Sequence, residues 1–219
     1  MAAETMTAAE ARRARAREEM REQILATARA AVAQVGVAGL SMRAIARSIG
    51  YSPAAIYEYF PSKEDVLQAL YFEGAGGLAG RMQAALDALP ATASASERLQ
   101  ALGHAYREAA LGQPETYRFV FGDAEAGFIP NEINQQCGLE AFELLVATVA
   151  AGIETGEFAP ADPLAAAVSA WALVHGFVML EIGGKLNTPH NTAPLSRADY
   201  DALFAAALAN LSFGIVRRT

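Results

Sequence analysis

The 219-residue chain contains one cysteine, one tryptophan and three histidines. A lone Cys137 excludes an internal disulfide, and with it the disulfide-stapled secreted domains. No cation lies near it in sequence to lower its pKa, so a buried, inert thiol is expected. His104, His175 and His190 show no HExxH-like spacing and Cys137 has no neighbouring ligand, so neither a metal site nor a cofactor is expected. G-x-S-x-G, S-x-x-K and P-loop patterns are absent, which leaves no visible catalytic apparatus. Gly74, Gly76 and Ala79 satisfy a relaxed G-x-G-x-x-A spacing, but they follow a helical pattern rather than a strand and read as close packing or bending. Charged residues make up 19% and apolar types 53%, which excludes disorder for most of the chain. No apolar run follows a basic start, so a cytoplasmic protein is expected.

The 17 basic and 24 acidic side chains leave a net charge of −7, unfavourable to a nucleic-acid partner if evenly spread. It is not evenly spread. Nine Lys/Arg and eight Asp/Glu fall in residues 1–65 (net +1), leaving eight against sixteen in residues 66–219 (net −8). All nine cations of the first part lie between Arg12 and Lys63, opposed there only by Glu18, Glu19, Glu22 and Glu58. A basic head on an acidic body implies two partners of different chemistry.

Apolar periodicity is helical throughout and no segment alternates as a strand does, so the expected fold class is all-α. Residues 1–17 carry no apolar period and are expected as a flexible basic tail. From Glu18 onward, Ile24, Ala28, Ala31, Val32 and Val35 mark an amphipathic helix that Gly36 ends. Ser41 reads as the N-cap of a short helix over 42–49 stopped by Gly50, and Ser52-Pro53 as the cap and first position of a third helix to about Phe60. Ser62 with Asp65, Ser94 with Glu97, Asp162-Pro163 and Ser196 with Asp199 open later helices. Breaks are expected near Pro90, 112–114, 156–160 and 183–194. The domains are drawn at 18–65, a three-helix unit, and 66–219, a larger helical domain.

The pair 42–49 and 52–60 is the informative part. Ala46 and Gly50, four apart, suit two helices crossing closely over a tight turn, a helix-turn-helix that presents its second helix outward. Such a helix enters the major groove by its amino-terminal end. Ser41, Arg43, Ser52, Tyr57 and Lys63 suit phosphate oxygens, and Arg43 also reaches a base edge. Pro53, Ala54 and Ala55 are small enough to let backbone approach the bases or meet thymine methyls, while Ile56 and Phe60 should face inward. Each residue also has an ordinary role: serines cap helices, Tyr57 and Tyr59 pack half-buried, Arg43 and Lys63 are solvated charges.

The run LSMRAIARSIGYSPAAIYEYFPSKEDVL (40–67), with IA-x(3)-G-x-S, IY-x-YF and SKE-x-x-L in order without gaps, resembles the DNA-binding signature of the tetracycline-repressor (TetR) family of bacterial regulators. The resemblance implies a cytoplasmic homodimer that binds a palindromic operator in double-stranded DNA, usually represses, and leaves when a small molecule enters its C-terminal ligand-binding and dimerisation domain. Ser41, Arg43, Ser52, Ala55, Tyr57 and Lys63 match family positions that contact DNA; Pro53, Ala54 and Tyr59 complete the candidate set. AWALVHGF, with Trp171, His175 and Gly176, and the preceding GEFAPADP are similar to the Trp-x-x-x-His-Gly variant of the ligand-binding domain.

Tyr106, Tyr117, Phe121, Phe128, Phe142, Trp171 and His175 are candidates to line a ligand cavity, with core packing the alternative for each. Residues 164–180 are uncharged, at the short edge of a membrane span, but contain Ser169 and His175 and lack basic anchors, so a fully buried helix and no membrane partner are expected. In the last helix Tyr200, Leu203, Phe204, Ala207, Leu208, Leu211 and Ile215 share an apolar face, where the resemblance places a dimer interface. A protein of another class, an all-α small-molecule binder with a purely structural helix-turn-helix, also fits the residues.

Overall fold

Helix α1 (Ala8–Gly39) starts on a reciprocal cap: the Thr7 hydroxyl accepts from the Glu10 N–H at 3.3 Å and the Glu10 carboxylate accepts from the Thr7 N–H at 2.8 Å. The computed structural model describes residues 7–122, 128–187 and 193–215, with residues 212–215 described by backbone alone. The expected flexible tail over 1–17 is therefore corrected: from Ala8 it is helix. Ala, Arg and Glu are strong helix formers that need no buried face to favour the conformation, which is why apolar periodicity gave no sign of it. The tail's first six residues, like His190, lie outside the described residues. Gly36, the expected stop, does break α1, with φ +70°. The chain makes one further turn to Gly39.

Helices α2 (Met42–Ser48) and α3 (Pro53–Tyr57) follow. The third helix, expected to reach Phe60, stops at Tyr57; the N–H groups of Tyr59 and Phe60 both bond the Ile56 carbonyl at 3.0 Å in a closing turn. Then come α4 (Lys63–Asp87), α5 (Ala95–Gly112), α6 (Pro114–Phe121), α7 (Glu132–Glu154), α8 (Pro163–Ile182) and α9 (Arg197–Ile215), with no strand among the described residues. The caps at Ser94/Glu97, Asp162 and Ser196/Asp199 form as read. The all-α expectation holds.

Two units divide the chain: Met1–Glu73 with Glu115–Asn131, and Gly74–Pro114 with Glu132–Thr219. The division falls inside α4, not after Asp65, because the first unit recruits α6 and the segment beyond it. Tyr71 needs an aromatic cover, and Phe119 and Phe128 supply it with ring centroids 6.3 and 5.8 Å away. The core of the first unit gathers Ile24, Ala28, Ile45, Ala46, Ile56, Phe60 and Val66.

In the second unit α5, α7, α8 and α9 pack on one another through Leu102, Val149, Ala170, Val178 and Phe204. Helix α8 buries one stripe, Ala167, Ala170, Val174 and Val178, and exposes Leu164, Val168, Trp171 and Leu180 by 40 to 53%. The expectation of a fully buried 164–180 is thus corrected: the unit has too few helices to cover both faces of α8. By length and composition α7 and α8 are both long and apolar enough to cross a membrane. Each nevertheless buries a stripe against other helices, and α7 carries Glu140 and Glu143 along its length.

Candidate nucleic-acid interface and ligand cavity

The turn between α2 and α3 is built as its residues dictate. Gly50 takes φ +75°, a conformation strained for other residues, and the Tyr51 N–H reaches back to the carbonyl of the fully buried Ala46 at 2.9 Å. Ser52 accepts from the Ala55 N–H at 3.2 Å, and Pro53 occupies the first position of α3. Ser41 caps α2 by backbone alone, so its hydroxyl makes no capping bond. Ile56 and Phe60 are buried. What remains outside is Ser41, Arg43, Ser52, Pro53, Ala54 and Tyr57, with Ala55 half-buried. No carboxylate pairs with Arg43 or Arg47 among the described residues.

Two predicted members sit differently. Lys63 is half-buried and donates to the Ala38 carbonyl at 3.2 Å. Tyr59 packs against the first core, with the Arg17 guanidinium 5.1 Å over its ring, so the structure groups it with the scaffold and away from the exposed set. Arg17 and Arg21, not singled out from sequence, hold the end of α3. Arg17 donates to the Glu58 carbonyl at 3.1 Å; Arg21 donates to the Tyr59 carbonyl at 3.0 Å and lies 4.4 Å over Phe60. A five-residue helix cannot sustain itself, so its stability comes from such tertiary contacts. Their four-residue spacing, in line with Ile24 and Ala28, was the available signal.

The second unit contains an apolar cavity of about 30 Å³, lined by Met82, Leu99, Leu102, Gly103, Tyr106, Leu145, Ala170, Trp171, Val174, Leu208 and Leu211. At its rim the Trp171 indole N–H donates to the Tyr106 hydroxyl at 3.2 Å, and that oxygen lies 3.3 Å from His175 Nδ1. Phe142 stacks on Trp171 with centroids 5.7 Å apart. Burial lowers the His175 pKa from its ordinary value, which favours the uncharged ring. The predicted pocket set is therefore split. Tyr106, Phe142, Trp171 and His175 gather here, whereas Tyr117, Phe121 and Phe128 belong to the first unit, Tyr117 against Phe121 at 5.2 Å and Phe128 against Phe119 at 5.0 Å. Helix α6 returns to the first core, which chain order could not show.

Beside the cavity lies a charged cluster that sequence reading missed. Arg107, only 4% exposed, bonds both Glu181 oxygens at 2.7 Å and Asp201 at 2.7 Å, with its guanidinium 5.1 Å over Phe204. It ties α5 to α8 and α9. Cys137 is half-exposed rather than buried, and burial together with the Glu140 charge raises its pKa, which keeps it a thiol. Among the described residues no three His, Cys, Asp or Glu side chains gather as a metal site.

The sequence agrees with this division of labour. Residues 24–70 match the description "Bacterial regulatory proteins, tetR family", and residues 99–211 match "Tetracyclin repressor-like, C-terminal domain". The HTH-type transcriptional regulator Rv1816 of Mycobacterium tuberculosis is 30% identical over 151 residues, which cover 68% of this chain and 64% of the relative, a little under two thirds of that protein's length. A protein of unknown function from Rhodococcus sp. RHA1 superposes with a TM-score of 0.75 at 28% identity, over 90% of this chain and 95% of that one. FadR from Bacillus subtilis, solved with stearoyl-CoA, shares the fold with a TM-score of 0.68 at 22% identity, over 89% of this chain and 98% of that one. With a repressor-like helical domain matched over more than half its length, behind a matched helix-turn-helix, the chain belongs to the TetR family of bacterial transcriptional regulators.

Proposed function

We propose that the protein is a homodimeric DNA-binding repressor that leaves a palindromic operator when an uncharged, largely apolar small molecule enters the second unit. The observation that carries this reading is the outward face of α2 and α3: burial of Ile56 and Phe60 leaves Ser41, Arg43, Ser52, Pro53, Ala54 and Tyr57 in solvent, a set with no structural use for its exposure. Docked in the major groove, Arg43 reads a base edge. Ser41, Ser52, Tyr57 and Lys63 hold phosphates, and Pro53, Ala54 and Ala55 pass close to the bases. Dimerisation supplies two such heads, whose centres must lie about 34 to 36 Å apart to meet successive major grooves. The exposed apolar residues Leu164, Val168 and Leu180 of α8 and Leu203 of α9 are the surface that supports a helical dimer seam.

The effector's chemistry follows from the cavity wall. It holds no charged side chain, and the nearby Arg107 is committed to Glu181 and Asp201, so a carboxylate or phosphate would be buried without a counter-ion. At about 30 Å³ the cavity is far below the roughly 300 Å³ of a drug-sized site, so entry must part the helices that line it. That demand links binding to conformation. A ligand favouring the parted state by about 1 to 3 kcal/mol would weaken operator affinity roughly 5- to 150-fold.

Two measurements test the reading. In a gel shift on duplexes flanking its gene, Arg43→Ala is expected to weaken the specific complex by roughly 5- to 150-fold while random DNA is little affected. Equal weakening on both would make Arg43 a phosphate anchor. A wild-type protein that binds none of these duplexes would leave the small-molecule binder as the surviving alternative. For the effector, Trp171 is the chain's one tryptophan, so intrinsic emission reports on the cavity. 1-Decanol is expected to change that emission and to bind at least roughly tenfold tighter than decanoate, whose charge must be desolvated. Comparable binding by decanoate would remove the uncharged class.

A further inference from the structure

We infer that the amino-terminal half of α1 is a second DNA-contacting element, an arginine arm in which Arg12, Arg13 and Arg15 meet backbone phosphates beside the bases that α3 reads. The inference rests on the DNA-binding reading above and extends it to a helix that reading does not use.

The start of α1 has no packing role of its own. Arg17 is the first residue of α1 to touch the end of α3 and Met20 the first apolar side chain packed on the core, so residues 8–16 form about two turns of helix with no buried side chain. The stretch 8–17 carries four arginines, Arg12, Arg13, Arg15 and Arg17, against one glutamate, Glu10, and that glutamate is committed to the Thr7 cap. The remaining cations of α1 are committed to the protein: Arg17 to Glu58, Arg21 to Tyr59, and Arg29 to Glu73. Arg12, Arg13 and Arg15 are exposed and make no hydrogen bond or ion pair with the described residues. Three unpaired guanidiniums on an otherwise idle stretch of helix suit phosphate, which they can grip with paired, charge-assisted hydrogen bonds.

Register aims the arm. Arg21, Arg17 and Arg13 follow one another at four-residue spacing along one ridge of the helix. Arg21 meets Phe60 and the Tyr59 carbonyl; Arg17, one turn earlier, meets the Tyr59 ring and the Glu58 carbonyl. Arg13 takes the next step on that ridge, one turn beyond Arg17; Arg12 and Arg15 leave the helix about 100° and 160° around from it, so Arg13 leads the arm and its neighbours reach phosphate by the length of their side chains. At 1.5 Å per residue, Arg12 lies about 7.5 Å along the axis from Arg17. That length corresponds to roughly two base pairs of duplex at 3.4 Å each.

The test uses the full chain with Arg12, Arg13 and Arg15 all replaced by alanine, which preserves helix propensity. Dissociation constants are measured against salt on an operator duplex and on a random duplex of equal length. The slope of log affinity against log salt is expected to fall by about 0.9 for each lost contact, at least that much per protomer for Arg13 and up to roughly 2.7 when all three reach phosphate. Both duplexes should weaken by the same factor, leaving the specificity ratio unchanged, and hydroxyl-radical protection should shrink at the edge of the footprint. The all-lysine variant R12K/R13K/R15K should retain the wild-type slope. If helicity of the alanine variant drops, the comparison is made with R13E alone, which should steepen the affinity loss at low salt. An unchanged slope with wild-type protein still bound overturns the arm and leaves the function standing; wild-type protein that binds no duplex overturns both.

Discussion

Arg107→Leu should destabilise the second unit by about 3 to 5 kcal/mol, because the change strands a buried carboxylate. Glu181 is 7% exposed at its side chain and accepts both of its hydrogen bonds at 2.7 Å from Arg107. Remove the guanidinium and the buried carboxylate loses both of these hydrogen-bond partners. Asp201 is in a different position: at 51% side-chain exposure it can return to water, and Arg197 remains 3.1 Å away. Asp201→Ala is therefore expected to cost far less than Arg107→Leu, as loss of an exposed pair does. The double variant R107L/E181L should recover most of the loss, since replacing both partners of a buried pair by apolar groups is often neutral. Urea unfolding followed by Trp171 emission reads all three. A double variant as unstable as the single would show that Arg107 acts through packing on Phe204 alone.

Phe60→Ala should have a comparable effect on the first unit. The ring is 2% exposed, sits in the core with Ile56 and Val66, and carries the Arg21 guanidinium 4.4 Å above it. Truncating a buried phenylalanine costs about 3 to 5 kcal/mol. That approaches the whole stability of a small domain. Helix α3 is five residues long and anchored inside by Ile56, with Phe60 closing its final turn. Loss of the ring releases that turn together with the Arg17 and Arg21 carbonyl contacts. DNA binding is expected to disappear on specific and random duplexes alike, while the unfolding transition reported by Trp171, which lies in the second unit, keeps its midpoint. Retained binding, or a Trp171 transition shifted by the same amount, would show that Phe60 does not act locally on the reading helix.

These two sites differ in how visible they were. Phe60 follows Ile56 by four residues behind a serine-proline cap, a pattern that already assigns both to the inside of a short helix. Arg107 carries no such pattern. Its partners lie 74 and 94 residues away, and a lone arginine on an amphipathic helix looks the same whether it is solvated or enclosed. The arginine arm was half legible: its charge was evident, but its helical state was not, since a helix without an apolar face has no period to detect.

The sequence by itself determined the capped helix starts and the turns, though not the first ten residues of α1 or the end of α3, and it determined which face of the helix-turn-helix points out. Hydroxyl caps, proline at a first helical position and glycine at positive φ are set by neighbours a few residues apart, and Gly36, Gly50, Ser52 and Ser94 all behave as their local chemistry requires. Only the tertiary structure decided which surfaces are covered. It sent α6 back to the first unit, divided the seven candidate pocket residues between two units, left one face of α8 bare, and sorted the arginines of α1 into those that hold the end of α3 or Glu73 and those with no partner among the described residues. Burial and ion pairing are made by residues far apart along the chain, and no local pattern encodes which distant partner arrives.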